Sequence, residues 1–171
     1  MVHIYIYLFK IMIITAIYIF MLFVFLTYVP GVTLAYGFLP SISESYYRLP
    51  DKLKFLFTLF LWGFSFPAIM LGANFHSIFL PLAGGLLCMV GVATAFKLKL
   101  EGYIHSIVAI GAILLSQFSI GYEYHMYYVN ILFVMYSLLV ILFKVENRIF
   151  WLEIGAFLSI SYLLGNLVYF M

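Results

Sequence analysis

Six apolar runs, each close to the length of a membrane crossing, dominate the sequence: residues 11–29, 55–73, 79–96, 103–120, 126–143 and 149–170. About 20 apolar residues carry a helix across roughly 30 Å of hydrocarbon. In lipid the backbone has no water to bond, so each crossing must satisfy its own amides. The expectation is an all-α fold: a polytopic transmembrane bundle of six helices with short loops, one domain over residues 1–171. Composition agrees. Charged residues make up 8% of the chain, against about 25% in a soluble domain, and the mean hydropathy is +1.20.

The breaks between runs carry turn or charge signals: "VPGV", "GANFHS", "FKLKLEG", "GYEYH" and "KVENR". The first run resembles a secretory signal only in position. Its apolar stretch exceeds a signal's core of about 7–15 residues, and no small-x-small cleavage site follows it, so it reads as a mature helix. A lone cysteine, Cys88, has no partner within the chain and therefore says nothing of redox compartment. A formal charge of +2, without a basic patch interleaved with aromatics, argues against nucleic acid as a partner.

Lysine and arginine set the expected orientation. Arg48, Lys52 and Lys54 lie in the first connection, Lys97 and Lys99 in the third, Lys144 and Arg148 in the fifth; Lys10 alone lies on the other side. The positive-inside rule then places the basic connections in the cytoplasm and both termini outside, in a bacterial inner membrane. Tyr122, Tyr124, Tyr127, Tyr128 and Trp151 read as an interfacial belt.

Membrane helices pack through small residues. The third run offers Gly84, Cys88, Gly91 and Ala95 on one stripe, and the fourth offers His105, Ala109, Ala112, Ser116 and Ser119. Both stripes are expected to face protein, and each other. Gly155, Ser159, Tyr162 and Asn166 form a third stripe on the last run, and Pro67 is expected to bend the second near Ser65.

Two polar groups are candidates for chemistry. On the basic side, Ser43, Glu44, Arg48, His105 and Glu153 are expected to converge into a binding site, because an acid inside a membrane helix turns toward the bundle or water. A structural ion pair pinning the first connection is the plainer reading of the same residues. A Ser43–His105 nucleophile–base pair is conceivable there. On the opposite side stand His3, Asn74, His76, Glu123 and His125, with Gln117 deeper. His76, Glu123 and His125 are a weak zinc set, since zinc takes four ligands and no ligand-spacing motif is present; exposed interfacial histidines are the alternative. The sequence has no Gly-x-Ser-x-Gly elbow, phosphate-cradling glycine loop or His-Glu-x-x-His.

The stretch "PSISES", residues 40–45, resembles the first loop of a six-helix membrane group. That group comprises the damage-regulated autophagy modulator type and a bacterial family known as a domain of unknown function. Its Pro-x-Ile-Ser-Asp pattern is matched by Pro40, Ile42, Ser43 and Glu44, with Glu for Asp. The group's later His-Asn-x-Gly-Ala is met by "HSIVA", which keeps His105 and Ala109 but has Ser106 and Val108. The run from "LPDKLKF" to "EYHMYY" is similar to small membrane proteins of gut Bacteroidota. The resemblance implies that the loop acid and the histidine share one side and one site. It also implies an external loop, contrary to the charge bias, which is followed here. A second resemblance, to alkaline-ceramidase-like membrane hydrolases, would imply a serine, an aspartate and three histidines around zinc; the paired histidines near that family's last helix are absent.

The functional expectation is a non-enzymatic membrane protein that binds lipid or a small amphiphile, or associates with membrane partners or copies of itself. A metal-dependent intramembrane lipid hydrolase and a small transporter are the alternatives.

Overall fold

The computed structural model describes residues 2–92 and 99–170, with side chains over 4–92 and 102–170. Among these residues the ordered elements are all helical, with no strand: α1 (Val2–Tyr36), a short α2 (Ser45–Arg48), α3 (Phe55–Asn74), α4 (Phe79–Val92), α5 (Lys99–Phe118), α6 (Tyr127–Leu142) and α7 (Arg148–Tyr169). A 3-10 turn at Asp51–Leu53 leads into α3, and a π-helical turn at Ser119–Glu123 ends α5. Four helical stretches are long and apolar enough to cross a membrane: Ile4–Tyr36, Asp51–Asn74, Gly102–Glu123 and Arg148–Tyr169. The apolar helices α4 and α6 are shorter. Lys97, Ala95 and the end of the run expected at 79–96 lie outside the described residues, as do the side chains of His3 and Lys99.

The second, fifth and sixth runs match α3, α6 and α7 within a residue or so at each end. The first does not. "VPGV" was expected to end it, yet α1 continues through Pro30 and Gly31 for 35 residues, roughly 50 Å at 1.5 Å per residue. Proline removes one backbone bond from a helix, and the apolar sequence beyond it supplies no competing turn. The true stop is Gly37, whose φ of +75° favours a residue without Cβ. Its N–H closes on Thr33 O at 2.9 Å, an αL cap.

Helix α4 lies against α3 along its glycines. A Cβ on Gly84 would stand 2.6 Å from Ile69 Cγ1 and 3.1 Å from the Ser65 carbonyl, and one on Gly91 would stand 3.2 Å from Trp62 Cδ1. Thr58 Oγ1 donates to Gly91 O at 2.9 Å, and Trp62 Nε1 to Cys88 O at 3.3 Å. The α4 stripe therefore faces α3, not α5 as expected. Small residues allow close backbone approach wherever the neighbour is nearest, and the four-residue turn after α3 makes α3 that neighbour. The third stripe works similarly: a Cβ on Gly155 would meet Tyr136 of α6 at 2.6 Å.

Aromatic packing ties α1, α3 and α7 together. Phe157 stands edge-on to Phe64 at 4.7 Å, with Phe25 and Phe60 at 5.4 and 5.5 Å. Tyr18 of α1 donates to Ser161 O of α7 at 3.2 Å. With Phe25 against Phe157, that contact makes α1 and α7 antiparallel. The start of α1 and the end of α7 thus share one end of the bundle, and the loop from Gly37 to Lys54 lies at the other.

Candidate functional site

Each serine of "PSISES" holds the loop to something different. Ser41 Oγ accepts the Glu44 N–H at 3.1 Å and closes the turn that leads into α2, a local side-chain-to-backbone bond of the kind serine favours. Ser45, fully buried, bonds the Tyr28 hydroxyl of α1 at 2.7 Å. Ser43 Oγ lies 3.0 Å from His105 Nε2 of α5, both side chains being buried. The last helix adds a clamp: Glu153 Oε2 accepts the Ile42 N–H at 2.5 Å, and Pro40 O accepts the Phe150 N–H at 3.2 Å. Asn147, held at φ +58° before α7, donates its side-chain N–H to Phe38 O at 2.8 Å.

Three of the expected residues, Ser43, His105 and Glu153, therefore meet at one end of the bundle around the Ile42–Ser43 peptide. Glu44 is half-buried on the same loop. Arg48 is exposed and forms no ion pair with a described residue; the only ion pair among these is Lys54–Asp51 at 2.7 Å. The convergence rests on hydrogen bonds rather than on the charge cluster that the sequence suggested.

Beneath the loop runs a narrow slot between α3, α4, α5 and α7, a cavity of about 60 Å³. Its walls are apolar: Phe64 and Ala68 of α3, Gly84 of α4, Ala109 and Ala112 of α5, Phe157 of α7. Ser43 and Glu153 supply its polar end. The small residues on α5 leave the space, so that stripe faces a gap. An apolar lining with a few polar groups at one end is the pattern of a ligand site, here in a space well below the roughly 300–1,000 Å³ of most small-molecule pockets.

At the opposite end, Glu123 is committed to helix capping. Its Oε1 accepts the N–H groups of Ile78 at 2.6 Å and Phe79 at 3.2 Å, while Oε2 accepts the hydroxyls of Ser119 at 2.7 Å and of Ser77. Ser77 Oγ accepts the Leu80 N–H at 2.9 Å. The first amides of α4 thus find partners, and a carboxylate sits where the helix dipole favours one. His76 and His125, both exposed, have backbones at positive φ; His125 Nδ1 lies 3.2 Å from Tyr127 Oη. Among the described residues no three His, Cys, Asp or Glu side chains converge as a metal site. The Tyr124 hydroxyl donates to Phe75 O at 3.1 Å, and burial pushes its pKa up to about 12, so it stays a donor.

Gln117 stands apart from this end. Its side-chain amide donates to Ser159 Oγ at 2.9 Å, and its backbone carbonyl accepts the Asn130 side-chain N–H at 3.1 Å, joining α5, α6 and α7. Sequence reasoning missed Tyr28 and Ser77. The Ser77 signal was legible: serine followed by an apolar run with Pro81 in the first turn is a helix start.

Comparison of the chain with protein-family models, curated proteins and solved structures returns no match.

Proposed function

We propose that the chain is an integral membrane protein with six crossings that binds the apolar chain of a lipid or small amphiphile in the slot beneath the Pro40–Ser45 loop. One observation carries the reading: an apolar gap among four helices that ends at a hydroxyl and a carboxylate instead of being filled by side chains. Cores normally close such space. A gap lined by alanine and glycine on two adjacent helices fits a removable occupant.

Support for six crossings comes from the alternation of ends. The Ser43–His105 and Ile42–Glu153 bonds gather the first connection with the starts of α5 and α7, and the Glu123 network gathers the second and fourth connections. The basic residues of the first and fifth connections, Arg48, Lys52, Lys54, Lys144 and Arg148, belong to the former end. By the positive-inside rule that end is cytoplasmic, with the termini on the other side of a bacterial inner membrane. The likeness of "PSISES" to the first loop of the six-helix group accords with this number of crossings.

Native mass spectrometry of the purified full chain tests the binding. Wild type is expected to retain a lipid-sized species, and Ala109→Leu, which builds into the slot, to lose it while keeping its helical circular dichroism. An identical bound complement in both proteins would refute the assignment.

A further inference from the structure

We infer that the outward crevice between α1 and α3 holds one acyl chain of an anionic phospholipid, with the phosphate against Arg48 and Lys52. This site lies apart from the slot; it rests on the membrane reading above but not on a ligand in the slot. The crevice has a volume of about 650 Å³, inside the roughly 300–1,000 Å³ of small-molecule sites. Val24 and Gly63 meet at its floor, since a Cβ on Gly63 would stand 3.1 Å from both γ-carbons of Val24. Phe20 and Phe23 of α1 and Leu59 and Phe66 of α3, all exposed, form its walls. The Thr27 hydroxyl is turned back on its own helix, donating to Phe23 O at 2.7 Å, so the lining offers hydrocarbon. On α3 it runs from Leu56 to Pro67, about 16 Å at 1.5 Å per residue, close to half of a hydrocarbon core of roughly 30 Å. That is the reach of one chain in one leaflet. A helix of a second copy needs small residues for close backbone approach; the walls here are large side chains, and Gly63 is already against Val24.

Two cations stand at the loop end of the crevice. Tyr28, which lines that end, bonds Ser45 Oγ at 2.7 Å and seats α2 there, and Arg48 is one turn further along α2. Lys52 precedes Leu56 by four residues within the helical stretch Asp51–Asn74, which sets it on the crevice face of α3. Both side chains are exposed, and neither has an ion-pair partner among the described residues; Asp51 is taken up by Lys54 at 2.7 Å. Basic residues beside an intramembrane crevice recognise anionic head groups. A zwitterionic head brings its own cation and gains less from Arg48 and Lys52.

The experiment uses the full chain carrying Trp151→Phe, which leaves Trp62, a lining residue of the crevice, as the sole tryptophan. It is placed in phosphatidylcholine nanodiscs containing a minor fraction of phosphatidylglycerol or phosphatidylcholine brominated at mid-chain, and quenching of Trp62 fluorescence reads occupancy. Brominated phosphatidylglycerol is expected to half-saturate the quenching at a mole fraction at least about fivefold lower, the effect of a single basic residue at a membrane surface. The preference should shrink in about 1 M salt, where charges are screened within roughly 3 Å. Arg48→Gln combined with Lys52→Gln should be quenched alike by both lipids. Equal quenching by the two lipids without these changes, a preference that survives them, or no quenching by either lipid would overturn the proposal. Should Trp151→Phe fail to fold, native mass spectrometry of the unsubstituted chain from an equal mixture of the two lipids makes the same comparison. Selective retention of phosphatidylglycerol is expected there, and equal retention would overturn the site. A chain that does not enter nanodiscs at all would remove the membrane reading itself.

Discussion

Gly84 and Gly85 are consecutive residues of α4 with opposite surroundings, so replacing each by alanine should change stability with opposite sign. In a helix interior alanine is favoured over glycine by about 0.8–1 kcal/mol, and that gain is available at both positions. At Gly85 a Cβ meets nothing within 4 Å, so Gly85→Ala should stabilise by up to roughly 1 kcal/mol. At Gly84 the same Cβ would be 2.6 Å from Ile69 Cγ1 and 3.1 Å from the Ser65 carbonyl. Ile69 Cγ1 is bonded to the branched Cβ, whose χ1 is stiff in a helix, and the carbonyl belongs to the α3 backbone. The two helices must separate by some tenths of an ångström. Overpacking of this kind costs about 1–3 kcal/mol. Set against the propensity gain, Gly84→Ala should destabilise by about 1 kcal/mol net, and Gly84→Leu by about 3 kcal/mol. Reversible unfolding in mixed detergent and SDS micelles, followed by circular dichroism, measures both. If Gly84→Ala stabilised the protein as much as Gly85→Ala, close α3–α4 contact through Gly84 would be wrong.

Glu123→Ala should destabilise by about 1–3 kcal/mol, because it strips partners from two amides at the start of α4; the low end is expected, since the site is partly open to solvent. Glu123→Gln keeps an acceptor and should lose less; identical losses would show that the retained acceptor contributes nothing and that the charge alone carries the cap. His105→Ala leaves the buried Ser43 hydroxyl without its imidazole, a cost of about 1–3 kcal/mol, and should speed amide exchange over residues 40–48; unchanged exchange there would deny His105 a part in holding the loop. Single cysteines at Lys52 and Lys144, in a Cys88→Ala background, should resist membrane-impermeant maleimide in intact cells, whereas one at His125 should react. Labelling of Lys52→Cys from outside would reverse the assigned sidedness.

Much of the helix layout was legible because apolar runs of fixed length leave the chain few choices in lipid. Charged or turn-forming breaks located the ends of α3, α6 and α7 closely. Pro30 misled, since proline removes one bond but cannot end a helix that has nothing else to become; the αL glycine seven residues later decides the matter. Small-residue spacing showed that Gly84, Gly91, Ala109 and Ala112 face inward, but periodicity fixes a face, not the neighbour across from it. Side alternation brought His105, Ser43 and Glu153 to a common end. That Glu153 would hold a backbone amide, with Arg48 out in solvent, depends on loop conformation, which no spacing encodes. Glu123 was singled out for its neighbouring histidines, and its actual partners are amides, which are the same in every sequence.

The clamp on the Pro40–Ser45 loop joins chain segments that leave the ribosome far apart in time. Phe38 is bound by Asn147, and Ile42 by Glu153, 109 and 111 residues later. At about 5–20 residues per second, that separation corresponds to roughly 5–20 seconds of synthesis. During that interval the loop lacks its closing partners, and the earlier helices must pack without them. Assembly of the slot is thereby deferred to the arrival of α7, so a nascent chain halted after α6 would lack one wall of the slot and the carboxylate at its polar end.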